Sequence, residues 1–231
     1  MSSRTSPRFD APAAARRLDA GLDALGQALP DATRDRLLRY LAELVRWNAA
    51  FNLTALKDPL QMVDRHLVDS LSLRPHLVGN RILDGGTGAG LPGLVLAICE
   101  PDRQFVLVDS NGKKVRFLRH VQRTLGLDNI EPIQARLEAL ALDPPPDALV
   151  ARALAPLPRL VDWLAPWLDG GAPLLAMKAG LDEDEIAAVP DDYSVDVRTL
   201  AWPGLDAPRS LAVIRRRAAE AGESAVPADP G

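Results

Sequence analysis

A carboxylate and a dense group of glycines stand together in the segment RILDGGTGAGLPG, which spans Arg81 to Gly93. An apolar run ends at Asp84, and five glycines then fall between residues 85 and 93. Glycine permits positive φ angles and lets a ligand approach the backbone closely. A tight turn alone needs only one such residue. The spacing therefore predicts that a ligand lies against this loop. The predicted contacts are Gly88 and Gly90.

The charge of Asp84 separates two classes of ligand. The stretch from Gly88 to Gly93 formally matches the G-x-G-x-x-G pattern of dinucleotide-binding proteins, which is weak evidence by itself. A carboxylate at the strand end would repel a pyrophosphate, whereas it would attract the ammonium and sulfonium groups of S-adenosyl-L-methionine. The loop therefore favours S-adenosyl-L-methionine as the cofactor. A NAD-dependent oxidoreductase is the alternative.

Further candidate contacts follow the next two predicted strands. The run FVLVDS ends in Asp109, at about the separation expected for an acid that accepts both ribose hydroxyls of a nucleotide. NAD enzymes share this feature, so it does not separate the two classes. Leu137 and Glu138 stand at the following strand-to-helix junction, where they could border an adenine ring. For Glu138, a solvated acid in a first helical turn is the alternative.

These residues need a scaffold, and the pattern after residue 80 predicts one. The strand-like runs RILD, QFVLVDS, NIEPIQA, DALVARA and PLLAMKA are each followed by a helical pattern, and YSVDVRTLAW and RSLAVIRRR close the series. This order predicts an α/β fold with a mostly parallel twisted sheet, helices on both faces and an antiparallel C-terminal edge. The carboxyl ends of the parallel strands should bring the glycine loop and Asp109 together.

Two amphipathic helical patterns precede the sheet region, DATRDRLLRYLAELVRWNAAFN and KDPLQMVDRHLVDSLSLRPHL. We therefore predict a helical extension over residues 12–79 and a core over 80–217. Residues 1–11 and 218–231 are rich in small residues, proline and charge, which predicts disorder. Polar residues among the apolar stripes predict either a lid or substrate wall over the cofactor pocket, or a hydrogen-bond network between helices. They include Asn52, Arg65 and His66.

The composition limits the class of protein. The 231 residues carry a formal net charge of -4, so contact with nucleic acid requires a local basic surface. Cys99 is the single cysteine, and the three histidines lack zinc-site spacing, so we predict neither a disulfide nor a metal site. No apolar run reaches membrane-spanning length, and the N-terminus lacks the apolar core of a secretion signal. A cytoplasmic protein is expected, and nothing demands more than a monomer.

One predicted helix, NGKKVRFLRHVQRTLGL, concentrates basic residues in this net-acidic chain. Its position after Asp109 favours contact with RNA phosphates, although a solvated face is the alternative. Lys178, after the fifth strand, is a further candidate at the pocket rim, where a lone surface lysine is the simpler interpretation. The basic residues outside the apolar stripe of the helix are Lys113, Lys114, Arg116, Arg119, His120 and Arg123.

One family combines these segments. The runs LDGGTGAGLPGLVLAI, LVDSNGKKVRFLRHVQ, NIEPIQARLE, VARALAPL and LLAMKAG, preceded by WNAAFNLTAL and RHLVDSL, resemble the GidB (RsmG) family over about residues 31–214. The resemblance implies a Rossmann-like class I methyltransferase that uses S-adenosyl-L-methionine. It also implies a target in 16S ribosomal RNA of the small subunit. The implied methyl acceptor is N7 of a guanine, position 527, in the 530 loop.

The resemblance also implies site residues. Asp84, Gly88, Gly90 and Asp109 are predicted from the loop instead. Ser210 stands where relatives often carry a histidine, so any role of that histidine cannot be transferred to this chain. The family's cofactor contacts correspond here to Gly86, Leu91, Leu137, Glu138 and Arg152.

Guanine N7 has an in-plane lone pair and no proton, so its direct attack on a sulfonium methyl group needs neither a general base nor a covalent nucleophile. Arg152, after the fourth strand, is the predicted catalytic residue, since it could donate to the cofactor or to guanine O6. A surface ion pair is the alternative. Trp47 and Phe51 are conceivable contacts of the guanine. A methyltransferase of a small molecule and a non-catalytic RNA or nucleoside sensor remain competing functions.

Overall fold

The computed structural model describes residues 9–200 and 209–218. Its seven-stranded sheet has the order β3-β2-β1-β4-β5-β7-β6. Strands β1 to β5 are parallel, and β7 runs antiparallel between β5 and β6, which confirms the predicted mostly parallel sheet with an antiparallel edge. The strands are β1 (Arg81–Gly85), β2 (Gln104–Asp109), β3 (Ile130–Gln134), β4 (Ala148–Arg152), β5 (Leu174–Lys178), β6 (Tyr193–Leu200) and β7 (Arg209–Arg216).

Helices cover both faces of this sheet. In addition, the segment Val63–Val68 forms a π-helical turn between α3 and α4. The α-helices are α1 (Ala11–Ala24), α2 (Asp31–Phe51), α3 (Pro59–Met62), α4 (Asp69–Leu71), α5 (Gly93–Cys99), α6 (Gly112–Leu125), α7 (Leu157–Leu168) and α8 (Glu183–Ala187).

The helical extension begins at residue 11, one residue before its predicted start. Helix α1 begins at Ala11, because the Asp10 side chain accepts a hydrogen bond from Ala13 N at 3.0 Å and caps the helix. Phe9 packs against the core. The remaining residues predicted to be disordered, 1–8 and 219–231, lie outside the described residues, as does the β6–β7 connection, 201–208.

Two predicted helices differ in the structure. The pattern after residue 58 is interrupted by the π-helical turn and ends in a single 3-10 turn, Arg74–His76. The helix predicted after β3 is also only one 3-10 turn, Leu137–Ala139. Prolines at 144–146 follow this turn closely, and proline cannot donate the backbone hydrogen bond of a helix and disfavours helical geometry in the residue before it.

The helical extension and one face of the sheet share a single hydrophobic core. Alternate strand residues point to opposite faces, so Ile82 and Val150 belong to this core, whereas Leu83 and Leu149 belong to a second one beneath α7. The first core also contains residues of α1, α2, α5 and α6. The Tyr40 hydroxyl, fully buried, donates to Ala89 O at 2.9 Å and ties α2 to the glycine loop. The extension therefore forms part of the surroundings of that loop.

Candidate active site

A cavity of about 410 Å³ opens at the carboxyl ends of β1, β2 and β4. Its volume falls within the ~300–1,000 Å³ that is usual for small-molecule sites. Leu53 and Thr54, just after α2, form part of its wall. Most of the residues predicted to contact a cofactor line this one cavity. They are Gly86, Gly88, Leu91, Asp109, Leu137, Glu138 and Arg152.

The glycine loop leaves open space on the cavity side. Gly86 and Gly88 have φ angles of +68° and +61°, a conformation that favours glycine. A Cβ at Gly86 would come within 2.4 Å of the Leu154 side chain, whereas one at Gly88 would meet nothing closer than Lys114 Nζ at 3.8 Å. The absence of a side chain at Gly88 therefore exposes backbone to the cavity, as a bound ligand requires.

Asp84 and Gly90 do not line the cavity, which corrects their predicted role as direct ligand contacts. Asp84 is fully buried, and its Oδ2 accepts hydrogen bonds from Thr87 Oγ1 at 2.6 Å and from Gly93 N at 2.7 Å. A Cβ at Gly90 would lie 2.6 Å from Leu94 Cβ, so packing requires this glycine. Asp84 therefore stabilises the conformation of the loop from its buried side and does not contact a ligand in the cavity.

Asp109 lies at the position expected for a ribose contact. Its Oδ2 accepts from Gly88 N at 3.0 Å, and its Oδ1 accepts from Asn111 N at 2.8 Å. A carboxylate oxygen has two acceptor positions, so Oδ1 can take a further hydrogen bond, whereas Oδ2 has a second donor in Lys114. Lys114 Nζ approaches Oδ2 at 3.3 Å and lines the cavity. Lys114 therefore belongs to the cavity wall and not to the outer basic face where the sequence placed it.

The turn after β3 contributes an apolar and a charged group to the cavity. Leu137 is buried, while Glu138 is exposed, and both line the wall. Arg136 also lines the cavity, and the sequence analysis did not select it. Its position directly before the predicted adenine contacts was the available signal.

Arg152 links the cavity to the helical extension. Its Nη1 donates to Arg65 O and to Asp69 Oδ2, both at 2.9 Å. Asp69 Oδ1 also accepts from Arg209 Nε at 3.2 Å, and the Asp69 side chain is only 3% exposed. The Arg65 carbonyl lies in the π-helical turn, a feature frequent at functional sites. Arg152 is therefore a held, partly buried group. Its carboxylate partner Asp69 is one of the polar residues among the apolar stripes of the helical extension.

His66 lies behind the cavity wall as a neutral ring. Its Nδ1 donates to Arg65 O at 3.0 Å, so its Nε2 accepts from the Thr54 hydroxyl at 3.0 Å. Burial, followed by the nearby charge of Arg152, lowers the pKa of His66 to about 4. Because Thr54 itself lines the cavity, this hydrogen-bond network between elements supports the wall.

The other two candidates for the lid lie on the surface. Asn52 ends α2 with a φ of 51°, and its Oδ1 accepts from Lys57 Nζ at 2.9 Å. The Arg65 side chain is exposed, whereas its carbonyl takes part in the network around Arg152. Neither residue lines the cavity.

The outer face of α6 exposes four of the predicted basic residues. Its apolar face is buried, and the Asn111 side chain caps it by accepting from Lys113 N at 2.9 Å. His120 instead packs against α2, where its Nε2 lies 2.7 Å from Glu43 Oε2. The exposed basic residues of this outer face, called the basic stripe below, are Lys113, Arg116, Arg119 and Arg123.

Lys178 is not available at the pocket rim, which corrects its predicted role. Its Nζ lies 2.6 Å from Glu185 Oε1 and donates to Ala155 O at 2.9 Å. The side chain is only 13% exposed. Lys178 therefore fixes α8 against the chain after β4 and has little exposed charge to offer to RNA.

Cys99 is buried, and burial raises the pKa of its thiol to about 12. The reactive thiolate is therefore strongly disfavoured. Within residues 9–200 and 209–218, no group of three or more His, Cys, Asp or Glu side chains is arranged for a metal ion. Among the same residues, no helix has the length and apolar character needed to span a membrane.

The fold resembles that of known methyltransferases. A methyltransferase from Aquifex aeolicus, described as SAM-dependent, matches with a TM-score of 0.51 at 16% identity, over 71% of this chain and 96% of that one. TrmN from Thermus thermophilus matches with a TM-score of 0.51 at 21% identity, over 74% of this chain and 52% of that one. At these identities the likeness shows the fold alone, and it confirms the Rossmann-like class I methyltransferase architecture.

Sequence comparison gives a narrower relationship. The family model of GidB, rRNA small subunit methyltransferase G, matches residues 33–212. Ribosomal RNA small subunit methyltransferase G of Yersinia enterocolitica is 45% identical over 203 residues, which cover 87% of this chain and 98% of that relative. The Yersinia pestis enzyme of the same name is 44% identical with the same coverage. The chain therefore belongs to the GidB family, whose model is described as rRNA small subunit methyltransferase G.

Proposed function

We propose that this protein transfers a methyl group from S-adenosyl-L-methionine to N7 of a guanine in 16S ribosomal RNA, the guanine at position 527 in the 530 loop. The observation that carries the proposal is the single cavity in which the open glycine loop, Asp109 and Arg152 come together in a chain of the GidB family. The relatives' name supplies the small-subunit RNA, and the resemblance supplies the guanine and its atom.

The cavity residues fit this cofactor. Gly86 and Gly88 line the cavity, and Gly88 would accept the cofactor against bare backbone. Asp109 Oδ1 retains an acceptor position for a ribose hydroxyl, and Leu137 offers an apolar edge for adenine. When bound, S-adenosyl-L-methionine supplies an electrophilic methyl group. Glu138 is the further candidate contact beside the adenine position.

The protein's contribution to the reaction is orientation and the exclusion of water. Guanine N7 carries no proton, so no residue has to remove one. His66 agrees with this, because it is neutral, buried and hydrogen-bonded on both ring nitrogens. Arg152 is held at the cavity, and its guanidinium is partly exposed. It can therefore donate a hydrogen bond to the cofactor or to guanine O6 and so orient either one.

Three further properties belong to the proposed function: the form of the RNA substrate, the cellular compartment and the oligomeric state. We propose that the substrate is 16S ribosomal RNA within the small subunit or one of its assembly intermediates, that the protein acts in the cytoplasm, and that it acts as a monomer.

The function is tested by methyl transfer from labelled S-adenosyl-L-methionine to small ribosomal subunits that lack the modification. Nucleoside analysis of the RNA should recover the label as 7-methylguanosine. Label in another nucleoside would contradict the choice of atom. An unlabelled RNA, with a folded protein that binds the cofactor, would contradict methyl transfer to small-subunit RNA.

Charge reversal on the outer face of α6 should weaken RNA binding. Changing Arg116 and Arg119 to Glu places two acids on an exposed basic stripe, which should raise the Kd for the subunit about tenfold or more and flatten its dependence on salt. The measurement is binding to subunits over a series of salt concentrations. Arg16→Glu on α1, also exposed, is the control of equal charge per site, and binding as tight as that of the control would remove α6 from the interface.

A further inference from the structure

An aromatic side chain lies on the surface at the end of α2. Phe51 is 43% exposed, and among the described residues only Val78 and Val197 are other large hydrophobic side chains with comparable exposure. Its ring centroid lies 5.2 Å from that of Trp47. Trp47 in turn lies 5.6 Å from the ring of Phe117, which is fully buried. Phe51 is therefore the outermost ring of a cluster of mutually tilted aromatic rings that is anchored in the core.

The contacts between α2 and α6 place Phe51 beside the cavity. Arg39, early in α2, donates to Thr124 O near the end of α6 at 3.0 Å. Trp47, later in α2, contacts Phe117 and His120, which come earlier in α6. The two helices therefore run in opposite directions. The end of α2, with Phe51, lies toward the beginning of α6.

Both helix ends border the cavity. Leu53 and Thr54, two and three residues after Phe51, line its wall, and so does Lys114 near the start of α6. Lys113 and Arg116 are exposed at the same end of α6. An exposed ring and exposed cations thus lie beside the opening of the cavity. Proteins that bind single-stranded nucleic acid use this combination, because cations contact the phosphates and an aromatic ring stacks on a base.

We propose that Phe51, supported from behind by Trp47, is a stacking platform for an unpaired base of the RNA strand that carries the methyl acceptor. This inference rests on the proposed function and names an RNA contact for the same site. The base lies next to the target guanine in the strand, because Phe51 borders the cavity and does not line it. Phosphates on either side of that base would meet the cations of α6.

Stacking and phosphate contacts respond differently to salt, and this difference gives the test. Phe51→Ala removes no charge, so it should raise the Kd for subunits lacking the modification about 5- to 100-fold, as loss of one stacked base does, with an unchanged slope of log Kd against log salt concentration. Phe51→Trp should keep the binding within about twofold, because the indole also stacks. The Kd for S-adenosyl-L-methionine, measured by calorimetry, should stay unchanged in both variants.

Val197→Ala is the matched control, because Val197 on β6 is 44% exposed and the change also removes an exposed apolar group. It should leave subunit binding unchanged. Wild-type binding by Phe51→Ala, or equal losses in Phe51→Ala and Phe51→Trp, would overturn the proposal. A parallel loss of cofactor affinity would also overturn it, since Phe51 would then act through the cavity wall.

The binding assay does not depend on turnover, so the two proposals fail separately. A wild-type protein that binds subunits but transfers no methyl group would contradict the proposed reaction. It would leave the comparison of the Phe51 variants as the test of stacking. If the wild type transfers the methyl group and Phe51→Ala keeps full activity and full subunit binding, only the proposed stacking platform is contradicted.

Discussion

Replacing Arg152 with alanine is expected to lower kcat/KM for methyl transfer about 100-fold or more. Two acceptors, Arg65 O and Asp69 Oδ2, fix the Arg152 guanidinium at the cavity. The loss of a positioned donor, or a shift of about 1 Å in the reacting groups, costs roughly that factor. The measurement is steady-state methyl transfer to small subunits, with kcat and KM determined separately.

The same change should also destabilise the fold, because it removes one partner of a buried carboxylate. Breaking a buried ion pair in this way costs about 3–5 kcal/mol. Asp69 keeps its contact with Arg209 at 3.2 Å, so we expect a loss of about 3 kcal/mol in the free energy of unfolding. An inactive Arg152→Ala protein would then be ambiguous unless stability is restored.

The double variant Arg152→Ala, Asp69→Asn separates the two effects. Asparagine removes the uncompensated buried charge and can still accept from Arg209, so much of the lost stability should return. Methyl transfer should remain at the level of Arg152→Ala, because the guanidinium is still missing. Recovery of activity together with stability would contradict a direct role for Arg152 and would leave it a structural group only.

The second large effect is a pH dependence of stability that arises from Asp84. Burial raises the pKa of Asp84 in the folded protein from about 3.8 to about 7, although the hydrogen bonds from Thr87 and Gly93 oppose the shift. Asp84 Oδ1 is buried and has no hydrogen-bond partner among the described residues. Ionisation of this carboxyl therefore disfavours the folded state.

The sign follows from proton binding. Between about pH 4 and pH 7 the folded protein retains the proton on Asp84, while the unfolded chain has lost it. The stabilising contribution of Asp84 is therefore complete below about pH 4 and is lost as the pH rises to about 7. A shift of about 3 pKa units corresponds to a loss of up to about 4 kcal/mol.

The contribution of Asp84 is isolated by subtracting the unfolding free energy of Asp84→Asn from that of the wild type at each pH. Asparagine can accept from Thr87 and Gly93 through its oxygen and does not titrate, so the variant should lack this fall in stability. Chemical denaturation of both proteins at pH 4 to 8 gives the difference in unfolding free energy at each pH. His66, whose pKa is lowered, contributes the opposite slope in both proteins and cancels. A difference that is constant with pH would contradict the raised pKa of Asp84.

Several features of the site were predictable from short stretches of the chain. The glycine loop and Asp109 each follow a short apolar strand, and the carboxyl ends of adjacent parallel strands meet at one edge of a sheet. The burial pattern of α6 was predictable for a similar reason, because a helical period fixes which residues share a face. These are local rules, and the residues that obey them carry their own signals.

Tertiary structure alone decided where the charged ends of long side chains lie. Lys114 and Lys178 have the same residue type and were both assigned to RNA, yet one borders Asp109 and the other pairs with Glu185. A lysine has a flexible stem of several carbons, so its ammonium group goes to whatever acceptor the fold brings within reach. Those acceptors are positioned by other elements, and no local pattern names them.

Burial was equally a property of the whole fold. Asp84 was expected to face a cationic ligand, but α5 covers it and turns it into the anchor of the loop. Asp69 joins Arg152 and Arg209, which stand 83 and 140 residues away in the chain. The sequence by itself thus determined the order of the strands and helices, the family and the position of the ligand-binding edge. Only the packing of distant segments decided which charges were buried, paired or exposed, because desolvation and pairing depend on neighbours that are remote in sequence.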